Sequence, residues 1–587
     1  MWLYNKATKV QITKIMKQTR LQIFGTLALA AVISSCSSLE KMKEGAKQIQ
    51  YKVDPEMLET HQGKVAMSMT ATVPAKLWDK KCSAEITPVL QYQGGEDAFP
   101  TITVQGEKVE GNGQTVSYTN GGVIKYPKQE IDFNDNQRVS DLIVRIKFTR
   151  GDETLEITST ELGLAPLAKG VIATSTLMGE EPGVSSASKD EFQRVTTNDK
   201  VAEIVYLINQ AQVRNGQLKK EDVAAINDYI KELNADEKKS IKSIAVSAYA
   251  SPDGSTDLNT KLAGKRENSA KDVIAKTLKK AKAEATVDAK STPEDWDGFK
   301  NAVQNSEIQD KELILRVLSL YSDPDVREKE IKNLSAVYKV LAKDILPTLR
   351  RSTITVTGEF QGKSDDELKA ANKDSLTVEE LLFTANLFEG DADKQVEYYD
   401  AAIKNFPEDY RAYNNKGIVL YNKKDIAGAK ALFEQAEAKK AAPEVENNLA
   451  CVAIANKDLN LAKEYLGKAA GAGSSLDENL AVVAIAEGDY EKAESYLANS
   501  TSNNAALVKI LNGKYDAAIS ITNANKEENG LKYYLKAIAF ARKSDKDSAL
   551  ENLNKAVKLE NKWKEYAKKD MEFYTYFADA NFKSIVE

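Results

Sequence analysis

Tyr249-Ala-Ser-Pro-Asp-Gly-Ser-Thr-Asp-Leu-Asn-Thr-Lys-Leu-Ala-Gly-Lys-Arg266 joins an alternating run to a basic amphipathic one. Before it, Ile244, Val246 and Ala248 alternate with Ser243, Ala245 and Ser247, the period of a strand with one buried face. The Pro-Asp-Gly turn leaves that strand, and KRENSAKDVIAKTLKK continues as a helix. Asn259 and Arg266 stand seven residues apart, about two helical turns. Both therefore lie over one turn mouth, where backbone N–H groups can also face an anion.

Working outward, VAEIVYLINQAQV (201–213) places apolar residues on both faces, with Val205 and Leu207 against Tyr206 and Ile208, and predicts a buried central strand. Val223, Ile226, Ile230 and Leu233 form one stripe of a helix over Lys219 to Asn234, and a second helix is expected over 261–283. A late strand runs from Arg351 to Phe360. Residues 284–345 read as a helical insertion, with Leu313, Leu315, Val317, Leu318 and Tyr321 facing a core and Trp296 as a packing anchor.

This β-α-β-α-β order, the turn and the helix resemble the OmpA-like domains of bacterial envelope proteins, and YLINQAQV resembles their first strand. The resemblance implies a peptidoglycan-binding loop in which Gly254, Ser255, Asn259, Leu262 and Arg266 take matching places. Lys265 stands where the family has another arginine, and Arg350 or Arg351 resembles a further basic position. Arg266 would pair with the carboxylate of diaminopimelate, a geometry suited to guanidinium. The family's aspartate falls at Ser251, leaving Asp253 as the nearest acid. Three readings follow. Asp253 substitutes and wall binding is kept; the domain docks protein instead; or Arg266 is a helix residue paired with Asp257.

The N-terminus is a second signal. Met16-Lys-Gln-Thr-Arg20 is basic, Leu21 to Val32 is apolar, and Ser34-Ser35 precede Cys36. An apolar core of a dozen residues is too short to span a bilayer, which takes about 20. It reads as a signal peptide (1–35, starting at Met16) and resembles the lipobox of bacterial lipoproteins, which implies lipidation of Cys36. Residues 36–61 are expected to be anchor and tether.

From 62 to 170, six or more short β-rich runs separated by Gly, Asn, Asp and Pro predict an antiparallel sandwich-like domain. Residues 171–195 and 363–376 read as linkers, and 196–362 as the OmpA-like domain. From 377 to 587 small and large residues recur in one frame. Gly417, Ala429, Phe433 and Ala436 are followed by Ala450, Ala462, Leu466 and Ala469, then Ala481, Ala493 and Leu497, then Ala537, Ala549, Leu553 and Ala556. Alanines 429, 462, 493, 517 and 549 lie 33, 31, 24 and 32 residues apart, which resembles the tetratricopeptide repeat, with part of a helix pair lost near 505–525. KWKEYAKKDMEFYTYFADANF is expected to cap the array.

The fold class is thus multidomain: an antiparallel β domain, an α+β OmpA-like domain with a helical insertion, and an α-helical solenoid. A net charge of −6 argues against nucleic acid as a partner. One histidine, His61 in a solvated loop, argues against a histidine-rich metal site, and no nucleophile motif or phosphate loop occurs. Cys451 reads as a small core residue; the surroundings of Cys82 say nothing of its role. No enzyme activity, cofactor or metal is expected. The whole resembles Bacteroidetes-type envelope lipoproteins, which implies an outer-membrane scaffold held by Cys36, facing peptidoglycan through Asp253, Gly254, Asn259, Arg266, Arg350 and Arg351, with a protein partner on the repeats. Ser37-Ser38-Leu39-Glu40 offers a single acid after Cys36, which favours the periplasmic side over the cell surface. The rival is a surface-exposed accessory of an uptake or secretion complex whose OmpA-like domain has lost wall binding.

Overall fold

The computed structural model describes residues 38–180 and 183–587, and Cys36 lies outside them. Contacts divide the chain into two compact units, one of residues 188–419 and one combining the segments before and after it.

In the latter unit the β-rich region forms two sheets. One contains Gln50–Asp54, Lys64–Val73, Leu58–His61 and Val171–Ile172 as successive neighbours, with Gly122–Asp132 also paired to Lys64–Val73. The other is built around Ser83–Tyr92 and Ser140–Arg150, antiparallel in full register. Strict alternation along Lys64–Val73 buries Val65, Met67, Met69, Ala71 and Val73, and these share one core with Ile86, Leu90, Val144 and Phe148 from the second sheet. The region begins earlier than the expected tether allows. Ser38–Ala46 is a helix whose Leu39, Met42 and Ala46 are buried, because a sparse i, i+3, i+7 stripe hides among its charges. Gln50–Asp54 and Leu58–His61 are already sheet strands.

The same unit holds most of the repeats as antiparallel helix pairs, including Pro443–Ala455 with Leu459–Lys468 and Gly530–Arg542 with Lys546–Leu559. Four of these turns repeat one device. A left-handed residue (Lys424, Lys457, Gly488, Ser544) ends the first helix, and an aspartate (Asp425, Asp458, Asp489, Asp545) caps the second by accepting a backbone N–H three residues on. The frame alanines 429, 462, 493, 549 and 556 are fully buried, as is Phe433. Near 505–525 the pair is complete but short: Asn503–Leu511 and Tyr515–Ala524. The aromatic end is not one helix. Asp570 and Asp579 cap new turns and break it into Lys562–Ala567, a 3₁₀ turn Met571–Tyr576 and Ala580–Val586. This end packs on the β region, where Arg542 pairs with Glu59 and Glu572 and the Arg138 guanidinium lies 4.3 Å from the Tyr566 ring centre.

In the 188–419 unit a four-stranded sheet runs in the order Val195–Val205, Arg351–Gln361, Lys239–Tyr249, Val287–Thr292. Arg351–Gln361 is antiparallel to both its neighbours, and the fourth strand is parallel to the third. Helices Glu221–Ala235 and Thr256–Ala281 cover the face of Ala202, Ile204, Ile244, Val246, Ile354 and Val356. The first strand is an edge, not a central strand, and ends at Val205. Leu207 and Ile208 are exposed beyond it, so the apolar run continues past the strand rather than through the core. The insertion is shorter than expected, because Val287–Thr292 completes the sheet. Its alternation is masked by Asp288, Lys290 and Ser291 on an edge. The helices from Trp296 to Leu349 enclose a small core on Phe299, Val303, Ile314, Leu318 and Ile331, while Leu313 and Tyr321 face outward. Residues 363–376 are no linker: Ser364 and Glu367 form a capping box on Asp365–Ala370, and Leu368 and Leu376 are buried against Leu381 and Tyr398.

Candidate functional site

All six expected site residues meet where the Lys239–Tyr249 strand ends, but their polar side chains are taken up by groups of the fold itself. Asn259 is buried and donates through Nδ2 to the carbonyls of Gly254 (2.9 Å) and Ser251 (3.3 Å), so it staples the Pro-Asp-Gly turn. Asp253 accepts from Arg350 Nη2 at 3.0 Å and from the Ser251 hydroxyl. Arg350 Nε also donates to Ser251 Oγ at 3.3 Å. Ser251, where the OmpA-like resemblance would place an aspartate, thus binds both members of the pair. The side chains of Arg350 and Asp253 are only 10% and 15% exposed, which makes the pair a sequestered one.

Arg266 has no accessible surface. Its three guanidinium nitrogens donate to the carbonyls of Tyr249 (2.8 Å), Gln210 (3.1 Å) and Leu207 (3.4 Å), and it lies over the Tyr206 ring. Burial away from water pulls its pKa down to about 10, the Tyr206 and Asp253 charges opposing that shift. It straps the chain past Val205 to the strand end. Arg351 pairs with Asp295 (2.8 Å) and Glu203 (3.2 Å) and lies over the Tyr249 ring. Pro252 is buried in a crevice with Trp296, Phe299 and Ile331, so the helical elaboration covers one side of the loop. Asp295 went unread as a partner because its only sequence signal was proximity to Trp296.

A second arrangement, in the repeats, was not read from the sequence. In the unit that holds most of the repeats, the extended segment from Gly183 to Ala187 lies along the helices Pro443–Ala455 and Ser474–Ala486. Val184 donates its N–H to Asn479 Oδ1 (2.7 Å), and its carbonyl accepts from Nδ2 of Asn479 and of Asn447 (both 2.9 Å). Ser186 exchanges the same two bonds with Asn448, at 2.7 and 2.8 Å. Ser475 reaches the Ser185 carbonyl at 3.3 Å. Within the 188–419 unit Ser188 repeats the pattern with Asn415, at 2.8 and 2.9 Å. The Asn479, Asn448 and Asn415 amides therefore each satisfy both backbone groups of one residue, as a neighbouring strand would.

The signal was present as Asn414-Asn415 and Asn447-Asn448, 33 residues apart, with Asn479 32 beyond Asn447. These buried asparagines sit on the first helix of successive pairs. Cys451 is buried as expected, yet its Sγ contacts the Val184 carbonyl and the Asn479 amide, and burial pushes its thiol up to about 12. Cys82 is buried in the β core with its thiol raised to about 11, also by burial. His61 is partly exposed at a strand end and bonds the Tyr490 hydroxyl at 2.6 Å.

No protein-family model matches the chain, and no curated protein matches it. Solved structures align with its repeats over about a third of its length. A tetratricopeptide repeat protein from Parabacteroides merdae is 15% identical, with 35% of this chain and 91% of that one covered and a TM-score of 0.29. YrrB, titled a TPR protein with an unusual peptide-binding site, is 21% identical over 35% and 98% of the two chains, with a TM-score of 0.19. PilW, titled a widely conserved type IV pilus biogenesis factor, is 15% identical over 36% and 98%, with a TM-score of 0.27. What the helical region does rests on the residues above.

Proposed function

We propose that this chain is a non-catalytic scaffold of the bacterial cell envelope, held at the outer membrane through lipidated Cys36, whose repeats bind an extended stretch of protein. The observation that carries the reading is the set of asparagine amides on repeat helices, each matched to both backbone groups of one extended residue. Such amides recognise a chain by its backbone, which is a binding task rather than a chemical one.

The sheet of 195–361 then serves as an OmpA-like module whose loop is structural. Its Arg266 is spent on three carbonyls and its Arg350 on Asp253, which favours the accessory-lipoprotein form of the scaffold, without wall binding. Wall contact is the second reading, favoured by the convergence of Asp253, Asn259, Arg266 and Arg350 at one strand end. The two separate in a pull-down with purified sacculi. Retention of wild type, lost in Arg350→Ala, supports the wall; equal retention, or none, sinks it.

The scaffold is tested by fractionation and co-purification of the full chain. Wild type is expected in the outer-membrane fraction and Cys36→Ser outside it. A stoichiometric protein should co-purify and be lost from Asn448→Ala/Asn479→Ala. A membrane-bound Cys36→Ser chain overturns the anchor, and the absence of any such partner overturns the scaffold.

A further inference from the structure

The asparagine amides of the repeats already hold a ligand, and it is the protein's own chain. Gly183 is buried against Cys451, and a Cβ there would meet the Cys451 Sγ and the Asn479 Oδ1 at 3.1 Å and the Cys451 Cα at 3.2 Å. Val184 and Ser186 each offer an N–H and a carbonyl to one amide. The Val184 side chain carries no part of this recognition, being 40% exposed beside a cavity of about 400 Å³ lined by Glu478, Ser502, Asn525 and Glu527, whereas the Ser186 hydroxyl donates to the Ala472 carbonyl at 3.4 Å. The site thus reads glycine at one position and unsubstituted amides at the next and third residues. The Val184 position accepts any side chain, whereas the partly buried Ser185 and Ser186 positions call for small ones.

We infer that Gly183–Ala187 is a tethered occupant, and that the partner of the repeats is an extended peptide of the form glycine–any–small–small, without proline, which takes the same amides when this segment leaves them. The chemistry is reversible because it is neutral. Each amide trades two hydrogen bonds to one backbone for two to another, and no buried charge is stranded in the exchange. Tethering keeps the segment at high local concentration, so it competes against any free peptide. This inference rests on reading the repeats as a backbone clamp, but not on the anchor or on envelope location.

The test uses the purified full chain and a fluorescent synthetic peptide Gly-Val-Ser-Ser-Ala-Ser. In Gly183→Val/Ser186→Pro the tethered segment loses its close approach and one N–H donor. This variant should bind the peptide at least about ten-fold more tightly than wild type does, the equivalent of about 1.4 kcal/mol. Adding Asn448→Ala/Asn479→Ala should abolish the gain, and a peptide with valine replacing its glycine should not bind. Equal binding by wild type, or no saturable binding by a variant that still melts cooperatively, overturns the inference. Hydrogen exchange on wild type keeps it testable should that variant fail to fold. The Val184 and Ser186 amides should be protected, and that protection should fall in Asn448→Ala/Asn479→Ala; unprotected amides in wild type overturn it. Peptide failure alone leaves Cys36-dependent fractionation and partner co-purification unchanged, so the two readings fail separately.

Discussion

At the strand end a buried cation holds carbonyl oxygens, whereas in the repeats neutral amides hold whole peptide units. Arg266 has donors only, so it can bind the chain past Val205 wherever carbonyls converge, and it cannot leave without stranding a charge. Asn448 and Asn479 offer donor and acceptor together, which demands an extended partner in register and permits exchange. The first device locks a fold. The second suits a binding surface.

Replacement of the locked cation should have the largest effect. Arg266→Ala removes a fully buried side chain and orphans three carbonyls, and a loss of about 3–5 kcal/mol is expected in chemical denaturation of the full chain. A loss below about 1 kcal/mol would mean the carbonyls find water, and the corner would be open rather than locked. Next comes the sequestered pair. Asp253→Asn and Arg350→Ala should each cost about 2–3 kcal/mol, with a double-mutant coupling of about 1–3 kcal/mol. Additive losses would release both groups as candidates for an external ligand.

Asn448→Ala should cost less, about 1–2 kcal/mol, because the Ser186 backbone groups can turn to water at the segment's edge. Its signature is local: faster exchange at Ser186, with the sheet of 195–361 unaffected in the same experiment. Loss of protection in that sheet would erase the distinction between lock and clamp.

The smallest effect is a contrast in pH. Asp570 is buried, accepts from the Tyr534 hydroxyl, and is pushed up to about 6 by burial. Its folded form holds a proton more tightly than the unfolded chain, whose carboxyl titrates near about 4. Stability from this group is therefore present below about pH 4 and lost as pH rises through about 6. Asp570→Asn should gain in melting temperature over wild type across that window, while Ser186 protection, resting on neutral amides, shows no matching step in it. A flat difference for Asp570→Asn would mean water reaches the carboxyl.

Periodicity made much of this legible. Alternation in Lys64–Val73, the alanine frame of the repeats and the turn after Tyr249 each follow from short-range geometry. Failures occurred where one face of an element was polar for a long-range reason. Val287–Thr292 looked like inserted chain because a sheet edge tolerates Asp288 and Lys290. Ser38–Ala46 looked like tether because charges outnumber its buried stripe. The Ser- and Gly-rich stretch after Ala173 looked like linker because it carries no side-chain pattern, yet its backbone is what Asn448 and Asn479 bind.

By itself the sequence determined most of the elements and the grouping of Asp253, Gly254, Asn259 and Arg266 around one turn, since strand, turn and helix spacings are local properties, whereas Arg350 and Arg351 reach that turn from about 100 residues away. Only the tertiary structure decided where those charges point. A guanidinium seeks whichever acceptors the fold brings near, and here these are the Leu207, Gln210 and Tyr249 carbonyls for Arg266 and the Asp253 carboxylate for Arg350. It likewise decided what the repeats hold, because recognition of a backbone leaves only small residues such as Gly183 as its mark in the segment recognised.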